Sequence, residues 1–175
     1  MTIHDGLDFS HNKTDTFFMT SVKKYTLFEN EQFSGTLLSE NYDTDIERFD
    51  QISEHFMNLI REHNVEYVAI EGYAYSAKGK VFHIGENTAL LKYKLFKDNI
   101  RFMTFAPTEV KKFSGNKGNC GKPEMYDAFF TETAIDLSKM FEYNKSMIDS
   151  PIADMVDSYY VCKLLCSTLN EEVKK

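Results

Sequence analysis

Apolar positions along the chain follow two rhythms, one helical and one extended, and the two alternate through its middle. From Asp43 to His63, Ile46, Phe49, Ile52, Phe56, Leu59 and Ile60 recur at steps of three and four, the spacing of a helix with one buried face. VEYVAIE follows, and its nearly continuous apolar run (Val65, Val68, Ala69, Ile70) predicts a strand covered on both faces. A helix leading into such a strand predicts an α/β sandwich with at least one parallel crossover. Upstream, Ile3 to Phe9 and Thr16 to Thr20 read as a hairpin joined by the polar turn SHNKTD, and Lys24 to Phe28 as a third strand ending at ENEQ. Downstream, residues 73–85 read as a polar and aromatic loop. GENTALLKYKLFKDN then carries helical spacing through Leu90, Leu91, Tyr93, Leu95 and Phe96, and Ile100 to Phe105 reads as a strand. Pro107 suits the first turn of a short helix ending near Phe113. SGNKGNCGK, rich in glycine, predicts a mobile loop. Pro123 to Ala134 and Ile152 to Leu169 predict helices, with a less regular stretch at Tyr143 to Ser150. No repeat, linker or low-complexity tract divides the chain, so residues 1–175 are expected to form one domain.

At 42% hydrophobic and 27% charged residues the composition is that of a folded globular protein. No stretch reaches the roughly 18 consecutive apolar residues of a membrane span, and MTIHDGLDFS lacks a signal-peptide pattern. These features predict a cytoplasmic protein without a membrane partner. Cys120, Cys162 and Cys166 include no CxxC pair, which argues against a disulfide framework and a zinc ribbon and favours reduced thiols in the core. The net charge of −7 looks wrong for a nucleic-acid-binding protein until its distribution is read. Residues 72–122 hold ten basic side chains (Lys78, Lys80, Lys92, Lys94, Lys97, Arg101, Lys111, Lys112, Lys117, Lys122) against Glu86, Asp98 and Glu109. That segment is +7 and the remainder −14. A basic middle in an acidic chain is either a polyanion-binding face beside a carboxylate-rich site or a solvated charge bias.

Among the many acids, four occupy places where a fold would gather them. Asp8 ends the first strand in GLDFS, and Glu71 ends the apolar strand, at the carboxyl edge where open α/β sheets place ligands. Asp154 and Asp157 lie three apart near the start of the last helix, on one side of it. Acids in a first helical turn also arise simply because they suit the helix dipole. Turned inward, however, two such charges need a positive partner, and oxygen-only carboxylate clusters suit Mg²⁺ or Mn²⁺. Two such ions activate water and stabilise the leaving oxygen of a phosphodiester. On that chemistry Asp8 would bridge the ions, Glu71 and Asp157 would each hold one, and Asp154 would complete the set or orient the attacking water.

The order of these features resembles the RuvC family of Holliday-junction resolvases. GLDFS is similar to the family's opening G-I-D-P-S strand end, IEGYAYSAKG to its catalytic Glu strand and loop, and FHIGENTALLKYKL to its second helix. FAPTEVKKFSGNKGNCGKPEM is similar to its P-x-x-V-K segment, glycine-rich loop and lysine helix, and SPIADMVDSYYV to its terminal D-x-x-D helix. The resemblance implies an RNase H-like α/β fold, a mixed central sheet of about five strands flanked by helices. It also implies a homodimer that grips branched DNA, a four-way junction, and cuts it with Mg²⁺ or Mn²⁺, two ions per site. Asp8, Glu71, Asp154 and Asp157 would be the catalytic, metal-binding carboxylates. Lys122, and Lys117 beside it, would act near the scissile phosphate, and Lys78, Lys80, Lys111 and Lys112 would contact DNA. Tyr73 and Tyr75 fall where the family carries an aromatic that wedges into the junction; each either stacks on a base, a contact of roughly 1–3 kcal/mol, or packs beneath the loop. Leu90, Leu91, Tyr93 and Leu95 supply either dimer surface or core. Phe9 in place of the usual proline, and the overall acidity, resemble divergent bacteriophage or viral members. Rival expectations are an RNase H-like nuclease acting on RNA:DNA hybrid or RNA, and a non-catalytic branched-nucleic-acid-binding module. An actin-like ATPase is excluded, since it needs two such domains.

Overall fold

The structure, a computed structural model, describes residues 2–4, 17–20, 24–29, 32–37, 43–62, 64–73, 81–115, 117–143, 146–149 and 152–173. Its elements in chain order are β1 (Thr2–His4), β2 (Phe17–Thr20), β3 (Lys24–Glu29), β4 (Gln32–Leu37), α1 (Asp45–Glu62), β5 (Tyr67–Glu71), α2 (Val81–Lys97), β6 (Arg101–Phe105), α3 (Pro107–Gly115), α4 (Lys122–Thr133), α5 (Leu137–Met140) and α6 (Ile152–Val173).

The parallel crossover expected from the apolar pattern is β5–α2–β6, with Tyr67 opposite Arg101 and Glu71 opposite Phe105. Both strands start from the same helix stop. Asn64 and Asn99 take left-handed backbone angles (φ 51° and 57°) just beyond α1 and α2. The next apolar residue then donates its N–H five residues back, Val65 to Ile60 and Ile100 to Leu95, each at 2.9 Å. This closes the helix end and throws the chain into the sheet.

β5 is buried on both faces, and its period of two sorts its side chains. Val68 and Ile70 join Phe56, Ile60, Leu91 and Leu95 in a core beneath α1 and α2. Ala69 points the other way, into a core built on Ile152, Val156, Tyr160 and Leu165 of α6. The small Ala69 side chain lets α6 approach the sheet closely. α6 packs across β5 and β1 of one sheet and β2 of the other, and α3 and α4 pack against α6. Cys120, Cys162 and Cys166 are buried thiols outside any disulfide, as expected.

Several expectations are corrected. Among the described residues the strands form two three-stranded sheets, β1-β5-β6 and β2-β3-β4, so the mixed sheet of about five strands is not confirmed. β1 pairs antiparallel with β5, and residues 5–16, which hold most of the expected β1–β2 hairpin and its turn, lie outside the described residues. β4 was not expected; its pattern QFSGTL carries Gly35 at its centre, opposite Thr26. α2 begins at Val81, inside the expected loop, and runs through Gly85. The short α5 falls where no element was expected. In the glycine-rich segment, buried Cys120 packs so closely on Gly115 that a Cβ there would lie 2.1 Å from its Sγ. Among the described residues, no helix is long and apolar enough to cross a membrane.

Candidate active site

Alternation along β5 gives Glu71 the parity of Ala69, so it emerges from the strand on the α6 side. Gly72 follows and donates its N–H to the Phe105 carbonyl at 2.7 Å, extending the ladder by one residue. A Cβ at Gly72 would sit 3.2 Å from that same oxygen, so glycine allows the close approach that keeps Glu71 against β6. On α6, Asp154 and Asp157 fall one turn apart among Ala153, Met155, Val156 and Ser158, all buried. Both aspartates are half-buried on the same side of the helix.

The three carboxylates act on one another. Burial pushes the Asp157 carboxyl up to about 6, with Glu71 and Asp154 adding to the rise and Lys122 and Lys111 opposing it. Glu71 is likewise raised, by burial first, with Asp154 contributing and Lys111 opposing. Desolvation and like charge both disfavour the ionised forms, and two cations only partly offset them. Glu71 and Asp157 are therefore electrostatically coupled to each other and to Asp154, with Lys111 of α3 and Lys122 at the start of α4 opposing the rise.

Lys111, expected to contact DNA backbone, lies within electrostatic reach of both Glu71 and Asp157. The P-x-x-V-K spacing places it one turn into α3, but its direction follows from the docking of α3, which local pattern does not encode. Lys112 and Lys117 are exposed. Tyr73 is 38% exposed, with its hydroxyl donating to the Gly85 carbonyl at 3.4 Å and Lys92 Nζ 5.8 Å from its ring. Asp8, Tyr75, Lys78 and Lys80 lie outside the described residues.

Among the described residues, no group of three or more Asp, Glu, His or Cys side chains is placed to hold a metal ion. Magnesium does not need one, since it keeps several waters and takes one or two carboxylates. An all-oxygen set in which Glu71 and Asp157 are held above the ordinary carboxylate range fits a hard divalent cation, which would relieve that cost.

The Thermus thermophilus RuvC structure matches this fold with a TM-score of 0.56 at 13% identity, over 87% of this chain and 95% of that one. T. thermophilus RuvC in complex with a Holliday junction substrate matches at 0.60 and 14% identity, over 95% and 93%. The chain has a RuvC-like fold. The yeast mitochondrial Holliday junction resolvase shares it, at a TM-score of 0.55 and 12% identity, over 88% of this chain and 83% of that one. No family model matches the chain, and no curated protein does. At these identities the likeness to RuvC is one of fold. The structural neighbours are nonetheless junction resolvases, one of them held on its branched DNA.

Proposed function

We propose that this protein is a metal-dependent endonuclease that hydrolyses phosphodiesters in branched DNA, the four-way junction foremost. The observation that supports the reading is the electrostatic coupling of Glu71 at the end of β5 with Asp154 and Asp157 of α6, opposed by Lys111 and Lys122, on a fold whose neighbours are Holliday junction resolvases. Glu71, Asp154 and Asp157, together with Asp8, would hold Mg²⁺ or Mn²⁺, two ions when the site is full. When bound, such ions supply Lewis acidity and lower the pKa of water. The chain's own contribution is placement: the carboxylates orient the nucleophilic water in line with the scissile bond, and Lys122 and Lys111 neutralise charge developing on the phosphate. Tyr73 offers an exposed ring two residues beyond Glu71 for an unpaired base, with Lys78, Lys80, Lys112 and Lys117 steering the backbone.

A homodimer completes the reading. Leu91 and Leu95 belong to the core, but Phe82, Tyr93 and Phe96 leave the outer face of α2 at 77%, 58% and 71% exposure. An aromatic stripe of that kind is interface material, and a two-fold axis there would offer two cutting sites to two strands. We place this activity in the cytoplasm, as a divergent, phage-type relative of the cellular enzymes.

The test is incubation with a labelled four-way junction, a matched linear duplex and an RNA:DNA hybrid, each in Mg²⁺, Mn²⁺ or EDTA. Paired nicks in the junction that vanish in EDTA are expected. Cutting of the hybrid alone would replace this reading with an RNase H activity, and tight binding without cleavage would replace it with a binding module.

A further inference from the structure

α6 carries another charged group whose contacts bear on the site. Lys163 lies beyond Asp157 along the helix, half-buried, and pairs with Glu132 in the last turn of α4. Its ammonium also lies 6.0 Å from the ring centre of Phe113 on α3 and 5.9 Å from that of Tyr159, one turn back on α6. Tyr159 in turn meets Phe129 of α4 edge-on at 5.0 Å. One cation thus touches all three helices that build the site. Cation–ring contacts strengthen where water is partly excluded, as it is here.

Those helices bear the groups that face one another in the site. α3 carries Lys111 two residues before Phe113, and α4 starts at Lys122. Glu132 and Lys122 are ten residues apart on one helix, about 15 Å along a rigid rod. A small swing of α4 at its Glu132 end is therefore carried to Lys122 at the other.

We propose that Lys163 is a positioning residue for cleavage: by gripping Glu132 and the faces of Phe113 and Tyr159, it sets α3 and α4 on α6 so that Lys111 and Lys122 stand opposite Glu71 and Asp157. The proposal rests on the nuclease reading above and adds a residue that touches neither DNA nor metal. Partly exposed ion pairs add little to global stability, so the contribution of Lys163 lies in geometry.

The test is single-turnover cleavage of a labelled four-way junction at saturating enzyme in Mg²⁺, with junction affinity measured in Ca²⁺ and thermal melts run alongside. Lys163→Met should slow cleavage about tenfold, as misplaced groups do, with affinity and melting close to wild type. Lys163→Arg, which still pairs and stacks, should retain the wild-type rate. In a Lys111→Ala/Lys122→Ala background Lys163→Met should add less than about a twofold loss, because the groups it positions are gone. A wild-type rate for Lys163→Met, or a full loss persisting in that background, overturns the proposal. If Lys163→Met fails to fold, Glu132→Gln removes the same ion pair without emptying the space between the rings; wild-type cleavage by it also overturns the proposal. A wild-type protein that cuts no branched DNA overturns the nuclease reading and this inference with it, whereas an active wild type with unaffected variants overturns this inference alone.

Discussion

Asp157→Asn should make the metal-free protein more stable at neutral pH while destroying its activity. The Asp157 carboxyl ionises at about 6 in the fold against an ordinary value of 3.8. The fold therefore holds that proton more tightly than the unfolded chain does, by about 3 kcal/mol. Below 3.8 the group is protonated in both states and costs nothing. Between 3.8 and about 6 the unfolded chain releases the proton first, and stability falls steadily as pH rises. Above that window the folded protein carries the whole cost. Asparagine has the same shape and no charge, so the variant should match wild type near pH 3.5 and exceed it by up to about 3 kcal/mol at pH 7.5. Urea unfolding of both proteins in EDTA at several pH values measures this directly. Mg²⁺ at about a hundred times its Kd should return about 2.7 kcal/mol to the wild type and less to the variant. A variant equal to or less stable than wild type at pH 7.5 in EDTA would refute the picture of a buried, mutually repelling carboxylate site.

Two further outcomes follow from the same account. Asp8→Asn should abolish cutting while junction binding in Ca²⁺ and thermal melting stay close to wild type; full activity would remove Asp8 from the site. Gly115→Ala would set a methyl against the Cys120 sulfur and should cost about 1–3 kcal/mol of stability. Cys120→Ala in the same chain should recover part of that loss in urea unfolding, and strict additivity of the two changes would refute the contact.

Much of the site was legible because local rules place its parts. The apolar run ending at Glu71 declared a buried strand, and the spacing of Asp154 and Asp157 put both on one side of a helix. Period-two alternation then turns Glu71 toward that helix, through Ala69. What escaped depended on partners far away in sequence. β1 pairs with β5 across more than sixty residues, and nothing within Thr2–His4 names that partner over β2. β4 hid because Gly35 and its polar neighbours weaken a strand's signature, although Phe33 and Leu37 pair in register with β3. Gly85 looked like a helix start, yet a Cβ there would meet nothing, so the glycine is tolerated inside α2 rather than required at its end. Lys111 read as one more basic residue because its approach to Glu71 and Asp157 is made by the packing of α3 on α6.

The measurement that bears most directly on the central claim is cleavage of a labelled four-way junction in Mg²⁺ by the wild type and by Glu71→Gln, side by side, with binding followed in Ca²⁺. The account predicts paired nicks from the wild type, none from the variant, and junction binding by both. A variant that cuts at the wild-type rate would contradict the assignment of the site, and a wild type that binds the junction but never cuts it would contradict the nuclease itself.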